Sequence, residues 1–212
     1  MEEIISETLK FGISLISILN PIGVIPIFLA LTTRYSDHKI KLVAHSCSFT
    51  VAITIITSLF LGQKILGFFG ISIASFTIGG GILIFSMAFS MISAQHAHSK
   101  MNPDEIDDAE ETAEIGIVPL AIPLLSGPGT ISTSIIQSKN FDSFYQWAGA
   151  IIMVAIVALI VNLILRYSRP IGNRLGKIGL NVMTRIMGLI LLSISIEMIV
   201  SGVKEILPIL KG

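Results

Sequence analysis

Glu197 is the one formal charge that falls near the middle of a long apolar stretch. Placing an acidic side chain in hydrocarbon costs about 2.5–3.5 kcal/mol on insertion scales for Asp. Such a group faces a cavity, finds a partner or takes up a proton. Ser193 and Ser201 stand four residues to either side, so a helix carries all three on one stripe. The stripe suits a proton or cation relay, or a contact to a substrate amine. It equally suits a structural hydrogen bond to a neighbouring helix, or snorkelling toward the outer interface.

The second chemical feature is backbone rather than side chain. Five of the eight prolines fall in two apolar stretches, 20–26 and 119–128. Each stretch carries a break motif, Asn20-Pro21-Ile22-Gly23-Val24-Ile25-Pro26 and Pro123-Leu124-Leu125-Ser126-Gly127-Pro128-Gly129. Proline removes a backbone donor and clashes with the preceding turn, so both stretches are expected to kink or unwind. In hydrocarbon such a break survives only when it is buried in protein or lines a polar cavity. Paired breaks in the two halves of a chain point to a transporter's binding site. The glycines permit close approach of a ligand, and the N–H groups that start a half-helix suit a carboxylate. The candidate substrate contacts are therefore Asn20, Pro21, Gly23, Ser126, Gly127, Pro128 and Gly129, with Glu197 as the proton or amine contact. Asn20 also suits a plain helix cap, and the breaks also suit kinks packed against another helix.

These residues need helices to position them. Apolar residues make up 52% of the 212, charged residues 13%, and mean hydropathy is +0.84, the composition of an integral membrane protein. The sequence predicts an all-α fold of six spans near 7–31, 42–62, 72–93, 115–137, 144–166 and 185–206, with Ile65–Ile71 as loop or interface. The first span is read as retained, since Met1-Glu2-Glu3 is acidic and no cleavage signature follows. The 1–2, 3–4 and 5–6 loops hold nine Lys and Arg, among them Lys39, Lys41 and Arg174, against five on the other side. That asymmetry puts these loops in the cytoplasm and both termini outside.

The halves resemble each other. Ile78-Gly79-Gly80-Gly81-Ile82-Leu83 matches Ile186-Met187-Gly188-Leu189-Ile190-Leu191. Pro21 to Gly80 is 59 residues and Pro128 to Gly188 is 60; Pro21 and Pro26 are five apart, as are Pro123 and Pro128. Three spans per half is odd, so the halves insert with opposite orientation, an inverted 3+3 repeat with helices 1 and 4 broken. The chain is a single membrane domain, 1–212. Its first half is 7–94, its acidic cytoplasmic linker 95–114 and its second half 115–207.

Other chemistry is not supported. The linker reads as a solvated tether, and its His96 and His98 lack the spacing of a metal site, so no metal is assigned. No G-x-S-x-G elbow, no H-E-x-x-H motif and no phosphate-cradling glycine loop occurs, so neither an enzyme nor a cofactor is expected. Zero net charge without a basic stripe gives no nucleic-acid partner. Cys47 reads as a small buried hydrophobe. Gly79, Gly80, Gly81 and Gly188 read as close-packing points between helices, and Asn162 and Gln137 as polar links between them. The partners are the lipid bilayer and a small-molecule substrate; a homo-oligomer is compatible with the sequence.

Three segments carry a family resemblance: Asn20 to Phe28, Val118 to Ser132, and Thr184-Arg185-Ile186-Met187-Gly188-Leu189. Together they resemble the MarC (UPF0056-type) family of bacterial inner-membrane proteins. Phe69-Gly70-Ile71-Ser72-Ile73 and Ile196-Glu197-Met198-Ile199-Val200-Ser201-Gly202 look closer to its neutral amino acid transporter branch. The resemblance implies six spans in one domain and transport of glycine, alanine or similar amino acids. Two positions depart from the pattern. Asn20 stands where relatives often have Asp, and Thr77 where they often have Arg. The function expected is secondary transport of small neutral amino acids, coupled to a proton or another cation. The alternative is a multi-pass protein with an assembly or regulatory role.

Overall fold

The computed structural model describes residues 2–93 and 114–207. The linker residues 95–113, with His96 and His98, lie outside the described residues. Eight helical elements follow in order: α1 Glu2–Leu19, α2 Pro21–Leu31, α3 Asp37–Phe68, α4 Ile73–Ile92, α5 Gly116–Leu125, α6 Pro128–Ser138, α7 Phe144–Arg166 and α8 Ser168–Ile206. The described residues include no strand.

Among the described residues, five segments are long and apolar enough to cross a membrane: Ile4–Leu31, Asp37–Phe68, Ile73–Ile92, Phe144–Arg166 and Ile178–Ile206. The remaining expected span, 115–137, is interrupted, as its proline motif predicts. It is the pair α5 and α6, parted at Ser126 and Gly127.

Two expectations are corrected. The segment Ile65–Ile71 is mostly helix, because α3 continues to Phe68. It stops by a C-terminal turn in which Ile71 N–H donates to Leu66 O at 2.9 Å and Gly70 N–H to Gly67 O at 3.1 Å. Gly70 takes φ 66°, the left-handed conformation this turn requires. The 5–6 connection is not an open loop either. Helix begins at Ser168, and the chain kinks at Gly176 (φ 63°) before running on to Ile206. Gly176 supplies the positive φ without steric cost. By contrast, α4 and α7 match their predicted ranges. Ser143 starts α7 with a capping box, accepting from Gln146 N–H while the Gln146 side chain accepts from Ser143 N–H.

Close contacts fix the helix directions. Gly202 packs on Ala74 and Ile78, Gly81 on Ser195 and Ile199, and Gly188 on Ala88 and Met91, so α4 and α8 are antiparallel and lie backbone to backbone. This is the most extensive helix contact; of the glycines predicted as packing points, Gly81 and Gly188 make it, whereas Gly80 packs on Pro128 of α6 and Gly79 has nothing within 4 Å. Asn162 Nδ2 donates to Ser48 Oγ at 3.0 Å, and Phe60 stacks on Trp147 with ring centroids 4.6 Å apart. These contacts run α3 antiparallel to α7, with Asn162 as the polar link expected of it. Gly116 lies against the Val43 carbonyl and Gly62 against Ile135, so α5 and α6 run parallel to α3. Gln146 reaches Glu7 at 3.0 Å and Gly12 meets Met153, which sets α1 parallel to α7. The buried core (Phe11, Leu15, Phe28, Val43, Cys47, Leu120, Val157) sits where α1, α2, α3, α5 and α7 converge.

Candidate functional site

The first break turns on Asn20. Its N–H donates to Ile16 O at 3.0 Å, closing α1, and its backbone then takes φ 43°, ψ 57°. It is the non-glycine residue with positive φ among the described residues. Asn tolerates this conformation better than most residues. Pro21 takes the first position of α2, where its missing N–H leaves nothing unpaired within the helix. The Asn20 Oδ1 accepts from Gly23 N–H at 3.3 Å, and its Nδ2 lies 3.7 Å from Met187 Sδ on α8. A Cβ at Gly23 would sit 2.4 Å from Asn20 Nδ2, so the glycine makes room for the cap. Pro26 is carried inside α2 without ending it.

The second break is built differently. Val118 (φ −126°, ψ 124°) and Ile122 (φ −125°, ψ 122°) interrupt α5, and each precedes a proline. A proline disfavours helical backbone in the residue before it and drives that residue extended. Ser126 N–H donates to Ala121 O at 2.7 Å, and Gly127 is extended (φ −73°, ψ 180°) before Pro128 starts α6. Gly127 offers no side chain to cap α6. The Thr130 hydroxyl donates to Leu125 O at 3.0 Å. The Ser126 hydroxyl is buried with no hydrogen-bond partner. A Cβ on Gly80 would lie 2.1 Å from Pro128 Cβ, so α4 seats the proline against a bare backbone. Thr77 and Ser132 join α4 to α6 at 3.1 Å.

The two breaks meet. Asn20 and Gly23 from the first, and Gly127, Gly129 and Thr130 from the second, line one cavity of about 20 Å³. That volume holds about one water molecule. Its other walls are apolar, with Ile84 and Met87 from α4 and Leu191 and Ile194 from α8 among them. Of the predicted contacts, Asn20, Gly23, Gly127 and Gly129 line it. Pro21, Ser126 and Pro128 stand beside it and shape the backbone. Sequence reasoning missed Thr130. The signal was present, since a hydroxyl two residues after a proline at a helix start sits in the first turn.

Glu197 is not brought to this cavity. It is exposed on α8, in an open groove of about 420 Å³ with Ser201, Lys204 and Glu205. Its neighbour Met198 faces the site instead: a Cβ on Gly129 would lie 3.2 Å from Met198 Sδ. Ser193 shares the exposed face and donates to Leu189 O at 3.0 Å.

Comparison with known proteins places the chain. Residues 5–207 match the family described as MarC family integral membrane protein. The UPF0056 membrane protein YhcE of Escherichia coli is 42% identical over 202 residues, covering 94% of this chain and 93% of that one. The UPF0056 membrane protein YvbG of Bacillus subtilis is 36% identical, covering 93% and 94%. A UPF0056 membrane protein of Pyrococcus abyssi is 36% identical, covering 96% and 98%. No solved structure matches. This chain belongs to the MarC (UPF0056) family of multi-pass integral membrane proteins.

Proposed function

We propose that the protein is a secondary transporter of small neutral amino acids, coupled to a proton or another cation. It spans the inner membrane six times as two inverted halves, with α5 and α6 together as the fourth pass. The observation that carries the reading is the convergence of two broken helices on one cavity. A membrane protein keeps unwound backbone at depth only where protein or a polar cavity satisfies it. Transporter sites are built from such breaks.

Helix packing supports the inverted repeat. Exchange of the halves maps the α1–α7 contact onto that of α5 and α6 with α3, and the α4–α6 contact onto α2–α8. The α3–α7 and α4–α8 contacts map onto themselves. The helix directions alternate through all six passes. Arg34, Lys39, Arg166 and Arg169 gather at one end of the bundle, where Arg169 pairs with Asp37 at 2.6 Å and also donates to Tyr35 O. Lys10, Lys64, Lys139 and Lys204 fall toward the other end. The richer end is the cytoplasmic one and the termini are periplasmic.

Purified protein screened by thermal shift against the twenty amino acids should be stabilised by glycine, alanine or a close relative. Proteoliposomes should then show saturable uptake that exchanges with internal substrate. No stabilisation by any amino acid would overturn the reading and leave the non-transporting alternative.

A further inference from the structure

The two breaks expose opposite backbone polarity to the shared cavity. At the first, the N–H end is capped at Gly23 and the C=O end is open. Gly23 N–H, the donor that would return to Leu19 O in a continuous helix, goes to the Asn20 side chain instead. Pro21 has no N–H to offer Ser17 O. The last turn of α1 therefore presents carbonyl oxygens, and Ile18 and Leu19 line the cavity. At the second break two carbonyls of the C=O end are satisfied and the N–H end has no side-chain cap. Ala121 O accepts from Ser126 N–H, and Leu125 O accepts from the Thr130 hydroxyl. The first-turn N–H groups of Gly129 and Thr130 have no capping side chain, and both residues line the cavity. The ends are adjacent: a Cβ on Gly129 would lie 3.4 Å from Ile18 Cγ2.

Resting on the transport reading, we infer that the cavity takes an α-amino acid zwitterion in one orientation. Its ammonium meets the carbonyl end of α1 beside Asn20, and its carboxylate meets the N–H groups of Gly129 and Thr130. The helix dipoles reinforce both contacts, since α1 ends there and α6 begins there. The apolar walls face the side chain and favour a short uncharged one. At about 20 Å³ the cavity is closed around a water-sized space, so Met87, Leu191 or Ile194 must give way as substrate enters. This orientation removes the need for Glu197 as the amine contact.

The test uses purified full-length protein with alanine, alaninamide (no carboxylate) and propionate (no ammonium). Asn20→Asp keeps the acceptor for Gly23 N–H and adds a negative charge beside the ammonium. It should tighten alanine about tenfold, as a nearby opposite charge at intermediate dielectric allows. It should also confer measurable binding of alaninamide and none of propionate. Asn20→Gly suits the positive φ but frees Gly23 N–H, turning the first break donor-rich; alanine should weaken severalfold. The reverse responses, or unchanged affinity in both variants, would overturn the orientation while transport stands. Wild-type protein that binds no alanine and no other amino acid would overturn both.

Discussion

The first break turns on a single residue, whereas the second occupies Ser126 and Gly127 and unwinds the helix before them. Asn20 closes one helix and caps the next with the same side chain. The second break has no such residue. Its prolines push Val118 and Ile122 extended, and its freed carbonyls find a backbone N–H and a threonine hydroxyl. Two solutions to one problem leave opposite groups unsatisfied, and that difference gives the cavity a positive and a negative end. Two identical caps would have left both helix starts closed to an anion.

The largest effect should come from unseating the second break. Gly80→Ala places a Cβ 2.1 Å from Pro128 Cβ and 3.3 Å from its Cα, so α4 or α6 must move. Overpacking of this kind costs about 1–3 kcal/mol. Gly79→Ala is the control: nothing lies within 4 Å of its Cβ, and better helix propensity should leave it neutral or slightly stabilising. Melting temperatures in one detergent decide the pair. Equal losses at both positions would mean that Gly80 does not seat Pro128.

The cap of the first break comes next. Asn20→Ala loses the side-chain acceptor for Gly23 N–H and keeps a Cβ at positive φ, and should destabilise by about 1 kcal/mol. Asn20→Gly should cost only a few tenths, because glycine takes the left-handed conformation freely. An alanine variant as stable as the glycine variant would show that the cap contributes little.

Much of this arrangement was legible because proline acts locally. Pro21, Pro119, Pro123 and Pro128 each restrict their own neighbourhood whatever the tertiary fold, so the breaks could be placed from sequence. The capping box of Ser143 and Gln146 acts just as locally at the start of α7, although the span there was placed from its apolar run. Which end of each break stays open could not be read, since it depends on the rotamers of Asn20 and Thr130. The kink at Gly176 escaped because glycine tolerates both helical and left-handed backbone. Helical register in α8 was the deepest gap. Ser193, Glu197 and Ser201 marked one polar stripe on the span, but a polar stripe suits an inward and an outward face alike, so it did not tell which of Glu197 and Met198 turns inward.

Hydroxyls at the second break should have effects no larger than loss of the Asn20 cap. Thr130→Val removes the donor to the buried Leu125 carbonyl and should destabilise by about 1 kcal/mol, the usual net worth of such a bond. Ser126→Ala removes a buried hydroxyl that makes no bond, so it should be neutral or stabilising. Alanine affinity measured alongside sharpens the contrast. Loss of affinity in Ser126→Ala without loss of stability would make that hydroxyl a substrate contact.

The smallest effect is expected at Glu197. The carboxylate stands exposed on α8, one residue from Met198, and a helix turns by about 100° between neighbours. Glu197→Gln keeps shape and hydrogen bonding, removes the charge and leaves both breaks untouched. Alanine affinity of the variant should therefore equal that of wild type at every pH where the protein is folded. If affinity falls instead, Glu197 reaches the cavity in another conformation of α8, and the two breaks do not by themselves complete the site. If affinity holds but pH-driven uptake is lost, Glu197 carries the coupling proton on the outer face of α8, away from the substrate. Equal affinity and equal uptake would leave the carboxylate a structural place in the groove with Ser201 and Lys204.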